Sequence, residues 1–128
     1  GDPDAGVIRM AGACLSALDK VIEAIRPGIT SDGVARAGWE GMDLAGPGLV
    51  FHGVFGYAVG CNFPPTWADG TAFITLGDHT VLQPGMVFHH PVAFRRLGEY
   101  GVAFSETSVV TEDGCEVLTS TERRLFIR

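Results

Sequence analysis

The spacing of apolar residues changes once along this chain, and that change limits the folds open to it. Val7, Met10, Ala11, Cys14, Leu15, Leu18, Val21, Ile22 and Ile25 recur at helical spacing and predict a helix from about Asp4 to Ile25. Asp2 and Asp4 suit its positive end, and Pro27-Gly28 stops it. Thr30 or Ser31 can cap a second helix from about Asp32 to Ala45, which Gly46-Pro47-Gly48 ends. Beyond that point apolar residues alternate. Strands are expected from Leu49 to Gly60, Met86 to Arg95, Gly101 to Val110 and Cys115 to Thr119, with a last short one from Leu125 to Ile127. Pro64, Pro65 and Trp67 to Gly70 read as a loop, Pro84-Gly85 as a turn, and Glu112-Asp113-Gly114 as a hairpin turn. Two helices followed by antiparallel strands imply an α+β layer with the helices on one face of the sheet.

Composition narrows the function classes. The 128 residues give room for one domain, and with 46% hydrophobic residues they can build a core. A formal net charge of −6 argues against nucleic acid and against an anionic membrane surface as partners. The longest apolar stretch, Leu49 to Gly60, is too short and too rich in Gly to span a bilayer. The acidic start, Gly1-Asp2-Pro3-Asp4, predicts no signal peptide. Cys14, Cys61 and Cys115 form no CxxC pair, so buried reduced thiols in a cytoplasmic protein are expected.

Alternation also sorts side chains onto faces. Met86, Phe88, His90, Val92 and Phe94 share one face; Val87, His89, Pro91, Ala93 and Arg95 share the other. On the next strand Val102, Phe104, Glu106, Ser108 and Val110 oppose Ala103, Ser105, Thr107 and Val109. The face with the larger apolar residues should meet the helices. His90 and Glu106 interrupt it. A desolvated carboxylate there suits general acid–base work; otherwise Glu106 escapes to water or pairs with a base. His89 and His90 point to opposite faces and cannot ligate one metal together. His52, His89, His90 and Glu106 have no HxH or HxxxH spacing, and His79 reads as a surface residue. The nucleophile elbow, the P-loop and the dinucleotide fingerprint are all absent.

Three stretches carry a resemblance: Gly56-Tyr57-Ala58-Val59-Gly60-Cys61-Asn62-Phe63-Pro64-Pro65-Thr66-Trp67, Leu82-Gln83-Pro84-Gly85-Met86-Val87-Phe88-His89, and Phe104 to Gly114 with its VVTEDG hairpin. Together they resemble the C-terminal half of the pita-bread superfamily of methionine aminopeptidase, prolidase, aminopeptidase P and creatinase. Arg26-Pro27-Gly28-Ile29-Thr30 between two helices matches in order. The resemblance covers residues 1–128 and implies half of a pita-bread fold, two helices on one face of a curved antiparallel sheet. It also implies that the N-terminal part of the fold, with two aspartate ligands, lies outside this sequence. The chain alone is then expected to be inactive, and to associate as a homodimer or through an exposed sheet edge.

The resemblance implies metal ligands that this sequence replaces. A ligand His in a GHxxG string falls on Tyr57, and a substrate-side His falls on Pro64. The ligand Glu after GMVF falls on Pro91; the second falls on Ser105, one residue from Glu106. These losses predict no metal cofactor; two divalent metal ions in the full-length protein are the alternative. The GYxxGxxFPPxW string resembles the creatinase and ectoine-hydrolase branch, which hydrolyses C–N bonds of small compounds, creatinase without metal. That branch often reads FPPDWGE, from which Thr66 and Asp69 depart. The resemblance implies a small-molecule substrate. His89 would orient it or shuttle a proton, and Glu106 would act as acid–base or contact a substrate amine. Tyr57 would donate a hydrogen bond, and His52, Ser105 and Trp67 would complete the substrate site. The family register puts His89, Pro91 and Ser105 on the site face, whereas burial favours His90 and Glu106; only a bulge reconciles the two. The alternatives are an Xaa-Pro metallopeptidase with unusual ligands and a catalytically inactive pita-bread domain used for binding.

Overall fold

Asp4 opens the first helix by accepting the Gly6 amide on its side chain, and α1 runs Ala5–Ala24. Gly28, at φ +85, turns the chain after Pro27 as the Pro-Gly stop requires. Thr30 is the cap of α2, Ser31–Glu40: its hydroxyl accepts the Gly33 amide at 3.1 Å. The helix closes at Gly41, earlier than the Ala45 expected. The computed structural model describes residues 1–42, 46–60 and 68–127.

The strands are β1 (Val50–Phe51), β2 (Val54–Val59), β3 (Ala68–Thr75), β4 (Val87–Arg96), β5 (Tyr100–Val110) and β6 (Cys115–Val117). They form one six-stranded sheet in the order β3-β2-β4-β5-β6, with β1 paired to β4. These pairings are antiparallel throughout. Gly53, at φ +81, divides the strand expected over Leu49 to Gly60 into β1 and β2. β3 corrects the expected loop over 68–70 and continues through residues to which the sequence assigned no element. Its pairing with β2 supplies the order that local pattern does not show. Residues 125–127 form no strand. There Arg124 lies over the Phe126 ring, 4.5 Å from its centroid, in a side-chain contact rather than a ladder.

Both helices cover one face of the sheet. Leu18, Val21 and Val34 from the helices meet Phe55, Phe88, Val92 and Phe94 from the strands, and all are fully buried. Each such aliphatic or aromatic side chain contributes about 1.5–3 kcal/mol on leaving water. Cys14 sits in this core, its thiol donating to the Val102 carbonyl at 3.4 Å, and burial pushes its pKa to about 11. Cys14 is an unreactive core thiol in consequence. Cys115 is half-buried and also free, and Cys61 lies outside the described residues. Among the described residues no helix is long and apolar enough to cross a membrane.

The helices touch where Gly41 abuts α1. A Cβ at residue 41 would lie 2.6 Å from the Ala17 Cα and 2.7 Å from the Ser16 carbonyl oxygen. Both are backbone atoms and cannot rotate away. Gly41→Ala should therefore lower stability by about 1–3 kcal/mol through overpacking. Urea unfolding should show a reduced midpoint at unchanged slope; an unchanged midpoint would mean that the helices separate at little cost.

Candidate functional site

β4 and β5 pair without interruption from Val87↔Val109 to Arg96↔Tyr100. Alternation along this ladder separates the adjacent histidines, as the sequence requires. His90 is fully buried beneath the sheet, on the helix face. His89 is half-buried on the opposite, open face.

Around His89 the open face is assembled from three strands. Tyr57 of β2 is its cross-strand neighbour on one side, with ring centroids 5.4 Å apart. Thr107 of β5 is its neighbour on the other, with Oγ1 3.4 Å from His89 Nδ1. Pro91 pairs with Ser105 one step along the same face. Phe73 of β3 flanks Tyr57 and extends the aromatic side. The result is an imidazole between a phenol and a row of hydroxyls. Burial holds the His89 pKa below its usual 6.5, so the ring is a neutral base near pH 7. With Nδ1 turned toward Thr107, Nε2 is the ring nitrogen not engaged by that hydroxyl.

The three replaced ligand positions, Tyr57, Pro91 and Ser105, thus gather on this face around His89. The substrate-side position, Pro64, lies outside the described residues, as does Trp67. Phenol, pyrrolidine and hydroxyl are poor donors for a divalent cation, which needs several carboxylates or imidazoles. Among the described residues no three His, Cys, Asp or Glu side chains lie close enough to share a metal ion. The described part of the site does not fit the two-metal centre that the resemblance implies for the peptidases.

The structure separates the other candidates from His89. His52 stands between β1 and β2 at the Arg95 end of β4; burial and the Arg95 charge both lower its pKa. Phe51 beside it pairs with Phe94, so at a strand rise of ~3.4 Å His52 sits about 15 Å along β4 from His89. His79 is exposed, as expected. Glu106 is only 3% exposed and pairs across the ladder with His90, on the helix face. Its Oε1 meets Arg123 Nε at 3.2 Å, and Arg123 Nη1 also reaches Asp19 of α1 at 2.5 Å. Of the alternatives open for a carboxylate at this position, pairing with a base is the one observed. Glu106 is not brought to the face that His89 uses.

His90 is held at both nitrogens. Nδ1 lies 3.1 Å from the Phe55 carbonyl oxygen and Nε2 lies 2.8 Å from the Ser108 hydroxyl. A carbonyl only accepts, so Nδ1 carries the proton and Ser108 donates to Nε2. Burial pushes its pKa down to about 4, against an opposing pull from the Phe55 carbonyl; the neighbouring His89 charge lowers it further.

Sequence reasoning did not single out Thr107, Phe73, Ser108 or Arg123. Alternation had already put Thr107 beside Ser105, so its signal was present. Arg123 lies in a segment without periodicity and gave none.

Residues 1–112 match the sequence profile described as metallopeptidase family M24. An ectoine hydrolase of Halomonas elongata is 31% identical over 129 residues, covering 100% of this chain and 32% of that protein. An Xaa-Pro dipeptidase of Pyrococcus furiosus is 34% identical over 117 residues, covering 88% of this chain and 31% of that protein. The crystal structure of dipeptidase PepE from Mycobacterium ulcerans superposes with a TM-score of 0.84 at 25% identity, over 98% of this chain and 32% of that chain. The chain spans about a third of the length of these relatives.

The buried imidazole makes stability depend on pH with a defined sign. Unfolded His90 titrates near 6.5 and folded His90 near 4, so between these values only the unfolded chain takes up the proton. Its contribution is complete above pH 6.5 and is lost as the pH falls toward 4, a loss of about 3 kcal/mol. Urea midpoints should fall more steeply between pH 7 and pH 4 for the native sequence than for His90→Leu. Parallel falls would show that His90 is not held neutral.

Proposed function

The chain belongs to metallopeptidase family M24, and from that membership we propose that the whole protein hydrolyses a C–N bond in a small amino-acid-derived compound without a divalent metal. The names of its relatives, ectoine hydrolase and Xaa-Pro dipeptidase, support the hydrolytic part of this reading. The donor set among the described residues supports the metal-free part: one imidazole, flanked by Tyr57, Pro91, Ser105 and Thr107, where two cations would need carboxylates.

In this reading His89 is the proton carrier. Its Nε2 takes a proton from water as the oxygen adds to the electrophilic carbon of the substrate. It then returns that proton to the departing nitrogen as the C–N bond breaks. Thr107 holds the ring by Nδ1, and Tyr57 gives a hydrogen bond to the substrate. Ser105 contacts substrate from the hydroxyl side, and Phe73 closes the aromatic side. Glu106 takes no part in the chemistry, because its carboxylate is engaged by Arg123 behind the sheet.

Metal content decides between this reading and a peptidase one. Elemental mass spectrometry on the full-length protein, purified without chelator, should find no stoichiometric metal. Hydrolysis within a panel of guanidino, ureido and N-acyl amino acids should be insensitive to chelator. About two metal ions per chain, with chelator-sensitive cleavage of an Xaa-Pro dipeptide, would replace this reading by a metallopeptidase. Peptide binding without any turnover would replace it by a binding domain.

His89→Gln should lower kcat by about 10²–10⁴-fold. In the native protein kcat/KM should rise with pH along a limb centred below 6.5, since activity needs the neutral ring and burial lowers its pKa. A limb centred well above 6.5 would remove His89 from the role of base.

A further inference from the structure

Phe55 and Tyr57 are two residues apart yet lie on opposite faces of the sheet. Phe55 is fully buried among the helix-side rings, 5.8 Å from Trp39 and 4.6 Å from Phe51. Tyr57 sits beside His89 on the open face. In a regular strand the two would share a face. The change of face comes from a register shift between Val54 and Gly56, which pair with Thr75 and Ile74 and leave Phe55 without a cross-strand partner.

A carbonyl skipped by the ladder and buried needs a donor. His90 Nδ1 supplies it at 3.1 Å. The ring fits there because residue 56 is glycine: a Cβ would lie 2.6 Å from His90 Nδ1. Ser108 holds the other ring nitrogen from β5. One imidazole thereby ties β2, β4 and β5 together directly behind the open-face cluster.

We propose that His90 is a positioning residue: by holding the Phe55 carbonyl it fixes the bulge that turns Tyr57 onto the His89 face. The proposal rests on the reading of Tyr57 and His89 as the working pair. His90 touches no substrate; it acts through the backbone of β2 and through its own neighbour on β4. Its neutrality in the protein serves the same end, because a second proton would displace the Ser108 hydrogen bond.

The test uses the whole protein with two readouts, the nuclear Overhauser contact between the Tyr57 and His89 rings and the separate values of kcat and KM. The native long-range ¹⁵N–¹H spectrum should show His90 protonated on Nδ1; a proton on Nε2 would overturn the proposal. His90→Asn keeps an N–H near the Nδ1 position and should retain the ring contact and most of kcat. His90→Leu should lose the contact and lower kcat by about 10²-fold, the scale of a misplaced catalytic group, with KM changing less. A folded His90→Leu protein that keeps the contact would overturn the proposal. Should the leucine variant fail to fold, His90→Gln replaces it: its amide reaches the Nε2 position, so it should lose the contact that asparagine keeps. Equal behaviour of Asn and Gln would overturn the proposal. The ring contact is read without substrate. If it depends on His90 while substrates stay unhydrolysed, the positioning role stands and the proposed reaction fails.

Discussion

The uninterrupted ladder between β4 and β5 is the constraint on which the rest depends. It fixes the parity of every side chain on both strands from Val87 to Arg96 and from Tyr100 to Val109. A slip of one residue would move His89 into the core and expose Phe88, Val92 and Phe94. That slip would forfeit the burial of three large side chains, at about 1.5–3 kcal/mol each. The apolar residues of β4 therefore hold His89 on the open face, although their side chains lie on the other.

The same parity forces two polar groups, His90 and Glu106, into the helix face as a cross-strand pair. The fold accommodates them differently. His90 is kept neutral and given a partner at each nitrogen, so no charge is buried. Glu106 meets a guanidinium brought in by the C-terminal segment. Arg suits this position because its planar fork serves two carboxylates at once, here Glu106 and Asp19. The segment after β6 is fastened to β5 first by hydrogen bonds of the Thr107 backbone, to Leu118 and Thr119, and then to α1 and β5 by the Arg123 ion pairs.

The layer order, the helix caps and the parity of β4 and β5 were legible in the sequence, since each follows from a local rule. Thr30, Asp4 and Pro27-Gly28 act where capping and stop signals put them. The burial of His90 and Glu106 was legible too, from alternation alone. β3 was not, because Gly70, at φ +71, sits inside it and its apolar part, Ala72 to Ile74, is short. The partner of Glu106 was hidden because nothing local relates residues 106 and 123. The disagreement between the family register and the burial pattern dissolves on the ladder. Each describes a different face: His89, Pro91 and Ser105 on one, His90 and Glu106 on the other. Parity on β4 and β5 needs no bulge to explain this.

A bulge is needed on β2 instead, and it links the two faces. Tyr57 reaches His89 only because the strand gains a residue at Phe55, and the carbonyl so released is satisfied from the helix side by His90. Two histidines adjacent in sequence thus occupy two different environments. One is half-buried, beside hydroxyls and a phenol, where a neutral imidazole can exchange a proton. The other is sealed among Phe55, Phe88 and Ser108, where it keeps a single tautomer. Neither environment would suit the other histidine. Solvent would compete for the Phe55 carbonyl, and full burial would close the open-face imidazole to solvent. The strand gives the two members of the His-His dipeptide opposite sides of one sheet, and with them opposite demands on the imidazole.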